Sequence, residues 1–316
     1  MRASADAAGA GGCARPLSIV LFVEDGGGDW HARQLAAAMT ARGARVVTTT
    51  LKACAFDTRL PSGIDIPGFG GALPDGAFVR SVSTGTLEQI TLRLGLLHAL
   101  SHSGVRVWNT ARTIERCVDK STATFLFQHA GLPVPETMAA EGADRAARFL
   151  ATVGEIVVKP LFGSQGNGIR RAANSQELPA PDDVGEVYYA QRYLEPQSES
   201  GFRDWRVLVS KARVVAAMAR VGDTWITNIH QGARAEPVGA GLSRDLSNLA
   251  LRAVEALGAD YAGVDLIRGS DGTLRVLEIN SNPAWKGLQG VTDANIAETL
   301  AEDFLDAVRL SDLCEQ

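Results

Sequence analysis

The segment Val157–Arg170 (VVKPLFGSQGNGIR) constrains the fold and the chemistry of this chain more than any other stretch of its sequence. A short apolar, β-branched run leads into Lys159 and then into a glycine-rich loop. The loop residues are Gly163, Ser164, Gly166 and Gly168. Glycines let backbone N–H groups come close to an anion, and a lysine adds positive charge to the same anion. The segment therefore predicts a strand that delivers Lys159 to a phosphate-binding loop.

Two common phosphate motifs do not describe this loop. No Gly-Lys-Ser/Thr sequence ends it and no helix pattern clearly opens there, so it is not a Walker A loop. Its glycine spacing also differs from the dinucleotide-binding fingerprint. A flexible glycine hairpin with an exposed lysine is the structural alternative, and the segment alone leaves both interpretations open.

Oxygen-bearing side chains form a second pattern near the C-terminus. Asp265 lies in the apolar run AGVDLI, and Glu278 and Asn280 lie two residues apart in VLEINSN. Side chains two apart on a strand share a face, and a hairpin would bring Asp265 beside them. Carboxylates in such apolar strands are costly without a cation or a hydrogen-bond partner, and Mg²⁺ prefers these ligands. We expect a magnesium site; polar residues on an edge strand are the alternative.

Basic and amide groups lie between these two patterns. Asp204 and Arg206 are two apart on a predicted strand, and Arg220, Asn228 and Arg234 follow. Arginine holds carboxylates and phosphates through paired hydrogen bonds, as an anionic substrate requires. Taken singly, a residue of this kind more often belongs to a surface salt bridge than to a site. Beside the predicted metal site, the group points to anion binding.

The periodicity of the sequence predicts an α/β (α+β) fold. In the first third, apolar strands at Leu17–Val23, Arg45–Thr50 and Val105–Trp108 alternate with helices at Trp30–Gly43 and Thr86–Ser103, which favours a parallel sheet. Residues 57–77, rich in Gly and Pro, are expected to be loop. Later strands are predicted at 155–159, 186–193, 206–209, 213–220, 224–228, 261–267 and 274–279, with helices at 243–257 and 293–309.

Composition excludes several classes of protein. The formal net charge of -5 offers no basic surplus for broad nucleic-acid binding. Four scattered cysteines without a Cys-x-x-Cys pair suit reduced thiols. No apolar run approaches the length of a membrane span, and the Ala- and Gly-rich residues 1–15 lack the apolar middle of a signal peptide. We expect a cytoplasmic protein with no nucleic-acid or membrane partner.

Covalent catalysis has no support in the sequence. The five histidines, which are His31, His98, His102, His129 and His230, form no ligand spacing and no obvious triad. Neither a Gly-x-Ser-x-Gly elbow nor a His-Glu-x-x-His motif is present.

The order of the motifs is similar to that of the RimK-like branch of the ATP-grasp superfamily. The resemblance runs from NTARTIERCVDKSTATFLFQHAGLPVPET through VVKPLFGSQGNGI, YYAQRYLE, DWRVLV and AAMARVGDTWITNIHQGARAEPV to GVDLI and LEINSNP. It covers the chain from about Asn109 to its end. It implies an ATP-grasp fold with a tail (1–15), an N-terminal α/β pre-ATP-grasp domain (16–112), a central and lid subdomain (113–190) and a sheet-rich C-terminal subdomain (191–316).

The resemblance also implies the cofactors and a role for each site residue. ATP would bind with Mg²⁺, for which Mn²⁺ is an alternative. Lys120 and Lys159 would contact the nucleotide phosphates under the glycine loop, with Asp204 near the nucleotide. The adenine would be lined by Gln191, Arg192, Tyr193 and Leu194, and Glu195 would lie near the ribose. The magnesium ligands would be Asp265, Glu278 and Asn280. Arg220 would face the γ-phosphate, and Arg206, Asn228 and Arg234 would hold phosphate or a substrate carboxylate.

The implied activity is that of an α-L-glutamate ligase that forms an amide through an acyl phosphate. The expected partners are L-glutamate and a small carboxylate-bearing acceptor, such as a pterin- or furan-type one-carbon carrier or a deazaflavin. Alternatives are a ribosomal protein tail, an amino-group carrier protein, a different amine, or a non-catalytic ATP-binding regulatory module. The acidic pI of about 5.6 favours a small cofactor over a basic ribosomal target. The resemblance allows a homo-oligomer, and the helix with Glu88, Gln89 and Arg93 is expected to face the acceptor.

Overall fold

The computed structural model describes residues 15–24, 29–163, 166–195, 201–238 and 244–314, with side chains as far as residue 311. Residues 1–14 of the predicted tail and Ser164 of the glycine loop therefore lie outside the described residues. Within the described parts of the chain, no helix is both long and apolar enough to cross a membrane.

The N-terminal part is built on a parallel sheet. In chain order its elements are β1 (Ser18–Phe22), α1 (Trp30–Ala41), β2 (Arg45–Thr49), β3 (Ala55–Phe56), β4 (Ile64–Asp65), β5 (Gly76–Val79), α2 (Leu87–His102) and β6 (Arg106–Trp108). The sheet order is β2-β1-β5-β6, and all of these pairs are parallel, as predicted. The strands β3 and β4 form a separate short hairpin.

The central strand β5 was missed by the sequence interpretation, which placed residues 57–77 in a loop. The strand has only four residues and begins at Gly76, a residue that favours turns. Gly76 is required by packing, since a Cβ there would lie 2.6 Å from Val308 and 2.9 Å from Phe304 of the C-terminal helix. Close approach of that helix, rather than a turn, therefore accounts for the glycine.

In the described residues, the middle of the chain contributes three α-helices and an antiparallel sheet. Its elements are α3 (Ala111–Val118), α4 (Lys120–His129), β7 (Thr137–Glu141), α5 (Ala143–Val153), β8 (Ile156–Lys159), β9 (Arg170–Ala172) and β10 (Val187–Arg192). The order of this second sheet is β7-β10-β8-β9. Asp119 ends α3 and begins α4, because its side chain accepts hydrogen bonds from the backbone of Ser121 and Thr122.

The C-terminal part contains a five-stranded antiparallel sheet. Its elements are β11 (Phe202–Ser210), β12 (Arg213–Gly222), β13 (Arg234–Pro237), α6 (Arg244–Leu257), β14 (Tyr261–Arg268), β15 (Leu274–Asn280), α7 (Lys286–Gln289) and α8 (Ile296–Cys314). The order of this third sheet is β13-β12-β11-β14-β15. A strand predicted at 224–228 is wrong: these residues form a loop that enters a 3₁₀ turn at Ile229–Gln231. Thr227 bonds to Asp204 and Asn228 caps His230, so both side chains serve the loop rather than a strand ladder.

The third sheet has a core on each of its faces. On one face, Val207, Val209 and Val264 pack with α4 and α6. On the other face, Leu208, Met218 and Tyr261 join α8 and the first sheet in a shared core. These cores join elements of different predicted domains, since α4 packs on the third sheet and α8 packs on the first, and the domain limits stay a prediction. The second sheet also continues to Arg192, past the predicted limit at 190.

Candidate active site

One face of the third sheet changes from apolar to charged along its strands. The register places Asp204 opposite Arg220, Arg206 opposite Asp265, and Asp265 opposite Glu278. Directly paired residues project from the same side of a sheet, so these five side chains share a face. The same face carries Leu208 and Met218 deeper in the molecule, where it packs on the N-terminal part. The sequence prediction that a hairpin joins Asp265, Glu278 and Asn280 is confirmed.

Two arginines and two aspartates form a buried ionic network on this face. Arg220 donates to both oxygens of Asp204, at 2.7 Å and 2.5 Å, and lies 2.9 Å from Asp265. Arg206 donates two hydrogen bonds to Asp265. The exposed fractions of Asp204, Asp265 and Arg220 are between 2% and 4%. Buried charges of this kind are tolerated because each one is paired and hydrogen-bonded.

The two aspartates differ in the number of guanidinium groups that surround them. Burial by itself raises the pKa of Asp265, but Arg206 and Arg220 outweigh burial and lower that pKa to about 2. Burial also raises the pKa of Asp204, and in this case the single guanidinium of Arg220 does not offset it. Burial opposes the charge on Arg220 as well, yet the carboxylates of Asp265 and Asp204 raise its pKa above the usual value. Arg220 therefore remains a cation.

Oxygen donors suited to a divalent cation stand beside this network. Glu278 keeps a side-chain exposure of 34%, and Asn280 donates a hydrogen bond to it at 3.3 Å. Within the described residues no three His, Cys, Asp or Glu side chains form a metal-binding group, because the third donor here is an amide. Two carboxylates and an amide oxygen would fill only part of an octahedral coordination shell. Mg²⁺ in proteins commonly completes such a shell with waters and phosphate oxygens.

The two predicted phosphate lysines are both anchored to protein oxygens. Lys159, at the end of β8, is buried and donates to Gln191 Oε1 at 2.7 Å. Burial lowers the pKa of Lys159, although the nearby Glu278 carboxylate acts in the opposite direction. Lys120 donates to the carbonyls of Leu161 and Gly163, at 3.1 Å and 3.0 Å. Lys120 thereby ties the start of α4 to the glycine loop.

A first cavity of about 480 Å³ opens between the second and third sheets. The predicted site residues that line it are Lys159, Gly166, Gln191, Arg192, Tyr193, Leu194, Asp204, Arg220, Asn228, Asp265 and Glu278. Its aromatic lining comes from Phe202, Trp205 and Trp225, in addition to Tyr193. An apolar slot that ends in a few charged groups is the usual form of a small-molecule site.

A second cavity of about 700 Å³ adjoins the first. The predicted site residues that line it are Lys120, Lys159, Gly163, Gly166, Arg206, Arg220, Asn228, Glu278 and Asn280. His31 reaches it from α1, and the segment after β15 supplies Asn282, Pro283 and Lys286. Lys159, Arg220 and Glu278 line both cavities, so these three side chains stand where the two spaces meet.

The structure does not bring every predicted residue to the cavities. Arg234 pairs with Val221 rather than Arg220, its side chain is 65% exposed, and it lies 3.9 Å from Asp223. Glu195 is exposed and lines neither cavity. Gly168 also lines neither; it has a φ of +73° and packs against Pro160.

Two of the α2 residues expected to face the acceptor make local contacts in the structure. Arg93 is buried and donates to the carbonyls of Val82, Ser83 and Thr84. Gln89 belongs to the capping box at Thr86. Neither these two residues nor Glu88 lines either of the two cavities described above, and their contact with an acceptor stays a prediction. The contacts of Arg93 and Gln89 are local ones that hold the loop before the helix and begin it.

Several lining residues were not identified from the sequence. Trp225, Ile226 and Thr227 were assigned to a strand, although they form the loop that closes one side of the first cavity. His31 and His230 line the second cavity but had no recognisable spacing. The glycine loop offered a partial signal, since Gly166 has a φ of +75° and approaches Ile226 and Gln231. That approach is visible only once the chain is folded.

Comparison with known proteins gives one family. The family model described as RimK-like ATP-grasp domain matches residues 117–304. The tetrahydromethanopterin:alpha-L-glutamate ligase of Methanococcus maripaludis is 34% identical over 236 residues, which cover 73% of this chain and 78% of that protein. The ligase of the same name in Methanocaldococcus jannaschii is 35% identical over 243 residues, which cover 74% of this chain and 80% of that protein. A probable alpha-L-glutamate ligase of Alkalilimnicola ehrlichii is 31% identical, covering 75% and 77%.

Solved structures share the fold. The ATP-grasp ligase PsnB complexed with a minimal precursor has a TM-score of 0.71 at 23% identity, covering 94% of this chain and 99% of that one. The D-cycloserine synthetase DcsG has a TM-score of 0.69 at 21% identity, covering 92% and 99%. The predicted α/β (α+β) ATP-grasp fold is therefore confirmed.

Proposed function

Because this chain belongs to the RimK-like ATP-grasp family of ligases, we propose that it joins L-glutamate to a small carboxylate-bearing cofactor, with ATP as the energy source. The acceptor we favour is a pterin of the tetrahydromethanopterin type. Three of the relatives that match more than two thirds of this chain are named for ligation of glutamate to tetrahydromethanopterin. In this reaction the acceptor carboxylate would attack the γ-phosphate of ATP, which forms an acyl phosphate and releases ADP. The glutamate amine would then attack the acyl carbon, expel inorganic phosphate and lose a proton to give the amide.

The observation that carries this proposal is the shared wall between the two cavities. An acyl-phosphate ligase must hold a nucleotide on one side and a carboxylate on the other, with the γ-phosphate between them. Lys159, Arg220 and Glu278 occupy that boundary. The first cavity, with its aromatic lining, suits the purine, and the second suits the acceptor and glutamate. Phosphoryl transfer needs positioning and charge stabilisation more than a protein nucleophile.

The residues at the boundary take complementary roles in this proposal. Arg220 is fixed by Asp204 and Asp265, so its guanidinium is preorganised toward charge that develops on the transferring phosphoryl group. Lys159 and Lys120 hold phosphate oxygens from β8 and α4. Asp265, Glu278 and Asn280 would hold Mg²⁺, which neutralises phosphate charge when bound. Mn²⁺, which takes similar oxygen ligands, would replace it.

The charge of the second cavity suits acidic substrates. Lys120, Arg206 and Lys286 line it together with His31 and His230, and Glu278 is the carboxylate among its described lining residues. Glutamate brings two carboxylates, and a carboxylate-bearing acceptor brings at least one. Cationic side chains with amide neighbours are the groups that hold such anions. Arg206 and Asn228 are our candidates for contacts with a substrate carboxylate or the acyl phosphate.

The deciding experiment is ADP release by the purified protein with ATP and Mg²⁺, L-glutamate and a panel of acceptors. The panel contains a tetrahydromethanopterin-type pterin, a deazaflavin cofactor and a ribosomal protein tail peptide. We expect ADP release only when glutamate and the pterin are both present, with a product heavier by one glutamyl unit. If ADP release required the deazaflavin, or the peptide, instead of the pterin, that compound would replace the pterin as the proposed acceptor. Tight Mg-ATP binding without turnover on any acceptor would overturn the ligase assignment and favour a regulatory module.

A further inference from the structure

His31 connects the N-terminal part of the chain to the segment that follows β15. Its Nε2 accepts hydrogen bonds from two consecutive backbone amides, those of Trp285 at 3.1 Å and Lys286 at 3.2 Å. Its Nδ1 lies 2.8 Å from Asp29 Oδ1. An imidazole nitrogen that accepts from two N–H groups carries no proton, so the proton of this ring lies on Nδ1 and is donated to Asp29. The contacts thus define one neutral tautomer.

Further groups hold the same segment. Asp29 caps α1, and although burial would raise its pKa, the hydrogen bond with His31 and the charge of Arg80 lower that pKa to about 2. Arg80 donates to the carbonyl of Pro283 at 3.0 Å and lies over the Trp285 ring at 4.7 Å. The charged groups that the structure places around the imidazole are Asp29 before α1, Arg80 after β5 and Lys286 on α7.

The segment fixed by these contacts is a wall of the second cavity. Asn282, Pro283, Ala284 and Lys286 line that cavity, and the segment begins directly after Asn280. His31 itself lines the cavity, and its ring packs edge-on against Trp285 at 4.6 Å. Trp285 is fully buried, so the wall has a rigid anchor beneath it. A change at His31 would therefore move the wall on the substrate side and leave the nucleotide side in place.

We propose that His31 is a positioning residue, whose unprotonated Nε2 sets the wall formed by residues 282–286 and thereby the fit of the substrates in the second cavity. The identity of those substrates rests on the proposed function, but the contact does not. The two amides require an acceptor at this position, because a donor there would face two N–H groups and leave both without a partner.

The first test measures hydrogen–deuterium exchange of the Trp285 and Lys286 amides in the full-length protein. His31→Ala removes the acceptor, whereas His31→Gln places a non-titrating amide oxygen near the position of Nε2. We expect exchange to accelerate at least about tenfold in His31→Ala, since two hydrogen bonds are lost, and to stay slow in His31→Gln.

The second test separates positioning from general destabilisation. We expect His31→Ala to raise the KM for glutamate or for the acceptor about tenfold while the KM for ATP stays unchanged, and His31→Gln to restore the wild-type value. The control is His98→Gln, which removes a histidine that lines neither cavity and pairs with Glu115 on the surface. Equal loss in all kinetic constants would indicate a merely structural residue and overturn the proposal.

The two tests keep this inference distinct from the proposed function. Exchange needs no substrate, so unchanged amide exchange in His31→Ala would overturn the inference even in an active ligase. A wild-type protein that ligates nothing would instead overturn the proposed function, and the exchange result would still decide whether His31 holds the wall.

Discussion

Arg206 donates two hydrogen bonds to Asp265, from Nε at 2.7 Å and from Nη2 at 2.6 Å, and so engages both oxygens of a proposed magnesium ligand. Arg220 approaches the same carboxylate at 2.9 Å. Asp265 therefore pairs with two guanidinium groups, of which Arg220 also pairs with Asp204. Glu278 differs, because it lies 4.0 Å from Arg206 and is partly exposed. Substitutions at these two carboxylates should consequently have different effects on stability.

Removing the Asp265 carboxylate should destabilise the fold as well as stop catalysis. In Asp265→Ala the buried Arg206 and Arg220 lose a shared counter-ion, which we expect to lower the free energy of unfolding by about 3 kcal/mol. Glu278→Ala, the matched control, should lower it by less than about 1 kcal/mol. Urea unfolding followed by tryptophan fluorescence measures both. Equal stabilities for the two variants would show that Asp265 does not neutralise the arginines in the folded protein.

Glu278→Gln is the cleaner test of the magnesium site, since it keeps the size of the side chain and spares the ionic network. We expect the Mg²⁺ concentration that gives half-maximal ADP formation to rise at least about tenfold. Saturating Mg²⁺ should recover part of the activity. Glu302→Gln, at an exposed position on α8, is the control and should behave as the wild type. An unchanged Mg²⁺ dependence in Glu278→Gln would remove this residue from the ligand set.

Replacing Lys159 with an uncharged residue should raise the stability of the fold at neutral pH and weaken nucleotide binding. Burial lowers the pKa of this lysine from 10.5, so the unfolded chain holds the proton more tightly than the folded protein does. The charge therefore costs stability at neutral pH, and the cost disappears as the pH rises toward 10.5. We expect Lys159→Met to raise the thermal midpoint at pH 7, by an amount that shrinks at alkaline pH. ADP affinity should meanwhile fall at least about tenfold, because a charged hydrogen-bond donor is lost.

Thermal scans between pH 7 and pH 10 and calorimetric titration with Mg-ADP test both parts. Lys52→Met, on the short turn after β2 and 3.9 Å from Glu24, serves as the control and should change neither quantity appreciably. A lower midpoint for Lys159→Met at pH 7 would mean that the hydrogen bond to Gln191 outweighs the cost of burying the charge.

The parts of the site that follow from local periodicity were predictable from the sequence. Glu278 and Asn280 share a face because they are two apart on a strand, and one hairpin brings Asp265 to them. The same rule put Asp204 and Arg206 on one face of β11. Each of these inferences uses residues close in sequence, whose relation the strand geometry fixes.

The parts that depend on long-range contacts were not predictable. Arg234 has a suitable side chain, but β13 pairs it with Val221, one residue away from Arg220. A shift of one residue changes the face of a strand, and spacing along the chain does not reveal the register. His31 is separated by 254 residues from Trp285, so its role as an acceptor appears only in the folded protein. The strand β5 was not predicted, because Gly76 suggests a turn in the sequence, whereas in the fold it is required by the close packing of α8.

Trp225 provides the test of which cavity holds the nucleotide. It lies in the loop before the Ile229–Gln231 turn, lines the first cavity, and meets Tyr193 edge-on with the ring centroids 6.3 Å apart. Tyr193 is held in turn by Arg171, whose guanidinium lies 3.8 Å from the centre of its ring. We expect Trp225→Ala to weaken Mg-ADP binding about five- to tenfold, because a purine would lose an aromatic wall, while the Mg²⁺ dependence stays unchanged. Phe56→Ala, which removes an exposed ring that lines neither cavity, is the control. Unchanged ADP affinity in Trp225→Ala, together with weakened binding of the acceptor, would reverse the assignment of the two cavities.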